Sequence, residues 1–110
     1  LTVDSSALTA IGNDYGFERV FARQVESLGS SGDLLIAIST SGHSANLLTA
    51  VVAAQAKGMH TAALAGRDGG PLAEAVEIAI TVGASRTSRI QEMHVLILHM
   101  LCELLEAEEC

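Results

Sequence analysis

Residues Leu34–Ser39 read LLIAIS, a continuous apolar run of strand length with no polar alternation. A strand wetted on one face alternates apolar and polar side chains, whereas a strand covered on both faces does not. The run therefore predicts a buried parallel strand in a layered α/β fold. Parallel neighbours require a crossover of a dozen or more residues, normally a helix. The chain supplies that alternation. Phe17–Leu28 has helical apolar spacing and is stopped by Gly29 and Gly32. Ala45–Lys57 is a second helix, rich in Ala, Leu and Val and ended by Gly58. Thr61–Ala65 and Glu77–Val82 read as further strands, separated by a glycine-rich turn at Gly66–Gly70 and a short helix opened by Pro71. Ser88 reads as the cap of a long last helix that runs to about Glu106. The expected fold is a three-layer α/β/α domain over residues 1–110, with the three strands parallel and adjacent. Three strands are few for such a sheet, and the chain does not begin with Met, so it is expected to be an N-terminally truncated piece.

Composition narrows the function classes. Apolar residues are 49% of the 110 and aromatics only 3%, so the core must be aliphatic. The net charge of −7 disfavours nucleic acid and anionic membrane as unaided partners. No apolar run approaches the roughly 18 residues of a membrane span. Cys102 and Cys110 are the only cysteines. Both lie near one end, so they form no disulfide framework, and Cys102 reads as a core residue. A reducing cytoplasm is the expected compartment, and Leu1–Ile11 has no secretory signal pattern.

The segment with chemical content is Ser39-Thr40-Ser41-Gly42-His43-Ser44. It follows a buried strand and leads into a helix. In open α/β sheets, ligands bind beyond the carboxyl ends of strands. A helix N-terminus there offers free N–H groups and the positive end of its dipole to an anion. Ser39, Thr40, Ser41 and Ser44 add four hydroxyls, and Gly42 lets the backbone come close. The same residues also suit an ordinary cap and turn. The glycine and lysine spacing of a Walker loop is absent.

The stretch LLIAISTSGHSANLLTAV resembles the signature of sugar isomerase (SIS) domains. LTAIGNDYGFERVFARQVESLG, GMHTAALAGRDGG and RIQEMHVLILHMLCELLE are similar to the corresponding stretches of the phosphoheptose isomerase family within it. The resemblance covers essentially the whole chain as the C-terminal two-thirds of such a domain. It implies that Ser39, Thr40, Ser41 and Ser44 hold a phosphate and that Asn13 and Asp14 contact sugar hydroxyls. An Asn-Asp turn before a helix is the plainer reading of that pair. The resemblance further implies that Gln91 contacts the substrate and joins His99 as a zinc ligand, one zinc per subunit, and that His99 is the catalytic acid/base. His43 stands where the family usually has Asn, and Ser88 where some members have Asp. The family's glycine-rich loop, and the helix after it with a His and a catalytic Glu, have no counterpart in this chain, so the piece alone is expected to be inactive.

Residue spacing tempers two of these roles. At about 1.5 Å rise per residue, Gln91 and His99 stand roughly 12 Å apart along a straight helix. His99 also falls on a stripe with Glu92, Glu103 and Glu106, where a solvated His is common. His94 points away from His99 and reads as a packing or interface residue. The rest of the helix is apolar nearly all round, from Met93 to Leu105, so it needs cover on more than one side. Self-association would supply that cover, and the resemblance implies a homotetramer.

The implied reaction interconverts sedoheptulose 7-phosphate and a glycero-manno-heptose 7-phosphate through an enediol, in heptose supply for surface polysaccharide. Two rival readings stand beside it. One is a non-catalytic SIS protein that binds a partner such as a replication initiator, and Gln91 and His99 argue against it. The other is a sugar-phosphate sensor, and the lack of a basic or DNA-binding segment argues against that.

Overall fold

A computed structural model describes residues 1–109; Cys110 lies outside the described residues. The chain runs α1 (Ser5–Tyr15), a 3-10 turn (Phe17–Arg19), α2 (Val20–Leu28), β1 (Leu34–Ile38), α3 (Ala45–Ala56), β2 (His60–Gly66), α4 (Gly70–Ala75), β3 (Ile78–Val82) and α5 (Thr87–Glu109). The sheet order is β1-β2-β3, with both pairings parallel. The strand and crossover pattern read from the sequence is therefore present, with boundaries shifted by a residue or so. Among the described residues, no helix is long and apolar enough to cross a membrane.

One helix escaped the sequence reading. Asp4 caps α1 by accepting the Ala7 N–H at 3.0 Å, and Gly16 ends it at φ +90°. Ala7, Leu8, Ile11 and Tyr15 follow helical spacing, and the first three are half-buried, so α1 packs only shallowly and none of its residues is fully buried.

The core is aliphatic and lies on one side of the sheet. Ala22, Val25, Ala50, Ala53, Ala54 and Met59 pack α2 on α3. Ala37 and Ala63 of the sheet meet Val51 of α3 and Leu72 of α4. Small side chains at these contacts let the helices lie close to the strands.

The opposite face is only partly covered. There α5 lies along β2 and β3, burying Leu64 and its own Ile90. Gly66 allows this approach: a Cβ there would stand 2.6 Å from Ile90 Cδ1 and 2.7 Å from the Thr40 carbonyl oxygen. Leu34, Ile36 and Ile38 of β1, with Ile78 and Ile80 of β3, are exposed on this face. The expectation that both faces of LLIAIS are covered is thus met on one face only, because α5 covers β2 and leaves β1 open. Cys102, expected in the core, is exposed. It sits on the outer half of α5, where Met100, Leu104 and Leu105 are exposed as well. The last helix also starts one residue before Ser88, at Thr87, so Ser88 lies inside its first turn.

Candidate functional site

The chain leaves β1 through Ser39 and enters α3 after Ser44, so residues 39–44 sit at the carboxyl end of the first strand. Their own hydroxyls shape this loop. Ser39 Oγ accepts the Gly42 N–H at 3.0 Å and lies 3.5 Å from Ser44 Oγ. Ser41 Oγ accepts the His43 N–H at 3.2 Å, and the Ser41 carbonyl lies 2.8 Å from His43 Nδ1. A hydroxyl has one hydrogen to donate and two acceptor lone pairs. Using Ser39 and Ser41 as acceptors fixes the loop and leaves their O–H groups for a ligand. Ser44 stands at the N-cap position of α3 but makes no side-chain capping bond, so its hydroxyl is likewise uncommitted to the helix. The first N–H groups of α3 have no intrahelical acceptor.

Gly42 shows why the loop cannot be an arbitrary polar turn. Its φ is +72°, and a Cβ there would collide with the Gly69 carbonyl oxygen. Its own carbonyl accepts the Leu72 N–H at 3.1 Å. The β1–α3 loop and the turn that follows β2 are therefore locked together.

An open cavity of ≈ 560 Å³ lies between this loop and α5, lined by Ser39, Thr40, Ser44, Gln91, His94 and three apolar neighbours. Ser39 is 8% exposed, and Thr40 and Ser44 are half-buried. His94 is 2% exposed, and its Nε2 lies 2.8 Å from the Ala65 carbonyl oxygen, while its Nδ1 is buried without a partner. His94, expected as a packing or interface residue, is buried; its place in the cavity wall was not legible from sequence. That bond joins residues 29 positions apart, a pairing no local pattern displays. Among the described residues, the clear pKa perturbation is that of Glu26, held below its usual range by a hydrogen bond from Arg19, away from this cavity.

The cavity thus brings together Ser39, Thr40, Ser44 and Gln91. Ser41 belongs to the same loop but does not line it. His99 does not line it either and is exposed, two turns beyond Gln91 on α5. Asn13 and Asp14 lie in the last turn of α1, exposed, with Asn13 Nδ2 donating to Asp14 Oδ1 at 3.2 Å. They form neither the expected turn nor part of this cavity.

A structural or catalytic zinc takes about four N, O or S donors at roughly 2.0–2.3 Å. Among the described residues, no group of three or more His, Cys, Asp or Glu could hold a metal ion. Gln91 and His99 offer two donors at most, so these residues do not enclose an ion by themselves.

Residues 1–66 match the family model described as SIS domain. Among curated proteins, the phosphoheptose isomerase of Nitratiruptor sp. is 58% identical over 96% of this chain and 57% of its own length. That of Sulfurimonas denitrificans is 52% identical over 98% of this chain and 55% of its own. The solved structure of the Neisseria gonorrhoeae phosphoheptose isomerase superposes with a TM-score of 0.93 at 51% identity, over 96% of this chain and 59% of that one. The Francisella tularensis enzyme gives 0.90 at 43% identity, over 93% and 55%. The chain therefore spans a little over half the length of the relatives it matches.

Proposed function

The chain belongs to the SIS-domain family, and we propose that it forms the phosphate-binding part of an isomerase acting on a phosphorylated heptose. The observation that carries this reading is the hydroxyl-lined β1–α3 loop facing Gln91 across one cavity. In this role, Ser39, Thr40 and Ser44 hold the phosphate by O–H donation from the cavity wall, Ser41 donates from the same loop at the edge of the cavity, and the N-terminus of α3 adds its dipole. No Lys or Arg lines this cavity, so the direct contacts come from hydroxyls and backbone, which suits a chain of net charge −7. Gln91, on the far wall, orients the sugar.

The reaction is a ketose–aldose interconversion between sedoheptulose 7-phosphate and a glycero-manno-heptose 7-phosphate. A base takes the proton from the carbon beside the carbonyl, the electron pair forms an enediol, and an acid returns a proton to the neighbouring carbon. We assign one of these transfers to His99. Since His99 stands exposed beyond the cavity, it reaches the sugar only where further chain closes on α5. A second subunit supplies that closure in our reading, and the open apolar faces of α5 and β1 support a homo-oligomer, of which a tetramer is the proposed form. Asn13 and Asp14 meet the sugar hydroxyls in the same closed assembly. Zinc is proposed as the metal that Gln91 and His99 help to hold, with its remaining ligands outside these residues. When bound, it would polarise the sugar carbonyl. The cytoplasm is the proposed compartment, and surface-polysaccharide heptose the proposed product use.

The test is isotopic. A chain extended to the length of the relatives is incubated with sedoheptulose 7-phosphate in D₂O. Deuterium appearing on the carbon next to the carbonyl, together with aldose formation, supports the enediol route. Unchanged sugar without deuterium contradicts it.

A further inference from the structure

Among the described residues, Arg67 is the one non-glycine with positive φ, at +56°. Non-glycine residues adopt that backbone at a cost, and they keep it where the surroundings over-determine them, often at functional sites. Glycine would sit there without strain, so the side chain is what the position retains.

Its contacts show what it does. Arg67 ends β2's run into the glycine turn, and its N–H donates to the Val82 carbonyl of β3 at 2.9 Å. Its guanidinium reaches the Thr40 carbonyl at 3.4 Å, Thr87 Oγ1 at 3.1 Å and the Ser85 carbonyl at 3.5 Å. Thr40 lies in the β1–α3 loop, and Thr87 is the first residue of α5. One side chain from the loop after β2 thus ties together the loops after β1 and β3. Those two loops end at the opposite walls of the cavity. All three acceptors are neutral oxygens, and none of the ion pairs found among the described residues involves Arg67. Arg67 is exposed and outside the cavity lining, so its unpaired guanidinium bears on the cavity through its contact with Thr40 of the loop.

We propose that Arg67 is a positioning residue for phosphate recognition: its guanidinium holds the β1–α3 loop at a fixed distance from the start of α5 and places a positive charge behind the phosphate. The inference rests on the phosphosugar reading of the cavity and adds a specificity element to it.

The test uses the chain extended to the length of the relatives, with sedoheptulose 7-phosphate as substrate. Arg67→Gly relieves the backbone strain while removing the guanidinium, so the melting temperature should hold or rise. The KM should increase about tenfold, because the β1–α3 loop is no longer held against the start of α5 and the nearby positive charge is gone, with kcat within about threefold. Arg67→Lys should recover only part of the affinity, because one ammonium cannot span three acceptors in a planar fork. Guanidinium ion at low millimolar concentration should lower the KM of Arg67→Gly and leave the parent unchanged. An unchanged KM in Arg67→Gly overturns the proposal, as does a raised KM that tracks a lost melting temperature and resists guanidinium. Ser41→Ala/Ser44→Ala separates the two levels. If that pair loses affinity while Arg67→Gly keeps it, only the Arg67 inference fails. If the pair keeps affinity, the phosphate site itself is wrong and the inference falls with it.

Discussion

His94 Nε2 stands 2.8 Å from the carbonyl oxygen of Ala65, a bond between the last helix and the end of the central strand. A carbonyl only accepts, so Nε2 carries the hydrogen. The bond pins α5 one turn after Gln91 and so fixes the second wall of the cavity. His94→Ala would leave a void and remove the bond from α5 to the central strand, while the Ala65 carbonyl keeps its place in the β2–β3 ladder. The expected cost is about 2–4 kcal/mol, read as a lower midpoint in urea denaturation. A midpoint shift near zero would mean that α5 is held by other contacts.

Gly42 is the position where the smallest change should do the most local harm. Gly42→Ala meets both a left-handed φ and the Gly69 carbonyl. The variant should lose about 2 kcal/mol or more and bind phosphate poorly, since the loop must move to admit the methyl group. Calorimetric unfolding and phosphate titration check the two effects separately.

His99 is exposed, so His99→Ala should change stability by no more than about 0.5 kcal/mol. In the chain extended to the relatives' length, the same change should remove most isomerase turnover. Near-normal turnover with unchanged zinc content would show the acid/base assignment to be wrong.

Arg19 holds the Glu26 carboxyl below its ordinary value of 4.5 by a direct hydrogen bond. A carboxylate with a lowered folded pKa contributes stability above its unfolded value, and that contribution is lost as pH falls through the folded one. Glu26→Gln should therefore flatten part of the acid limb of the stability profile below about pH 4.5 and leave the profile above it parallel to the parent's. The effect is small, because the pair is solvent-accessible and salt screens it.

Met100 is exposed and Ile97 half-buried on α5. Large exposed apolar patches mark interaction surfaces. Sedimentation equilibrium should find the parent chain associated, and Ile97→Asp/Met100→Asp shifted toward monomer. An 11.4 kDa parent species at micromolar concentration would contradict this.

The sheet was legible because LLIAIS and its two partner strands are short apolar runs set between helical patterns, and that alternation leaves few topologies. The Ser/Thr loop was legible as a candidate anion site because its residue types and its place between strand and helix are both local facts. What escaped depended on the third dimension. An apolar run does not say which of its faces lacks cover, so the open side of β1 was invisible. His94 and Arg67 act through residues 29 and 27 positions away. Asn13 and Asp14 read as a turn because Asn and Asp favour turns, although Ala7, Leu8, Ile11 and Tyr15 follow helical spacing and Asp4 and Gly16 were a cap and a stop in plain view. Cys102 looked internal because its neighbours are apolar, yet that half of α5 stands clear of the sheet.

The central claim is that the β1–α3 loop binds the phosphate of a phosphorylated sugar. Isothermal titration of sedoheptulose 7-phosphate against the chain extended to the relatives' length, with and without Ser41→Ala/Ser44→Ala, tests it most directly. Two hydrogen bonds to a charged group are worth roughly 3 kcal/mol together, so the double variant should bind about 100-fold more weakly. Affinity within about threefold of the parent, less than 1 kcal/mol, would contradict the account.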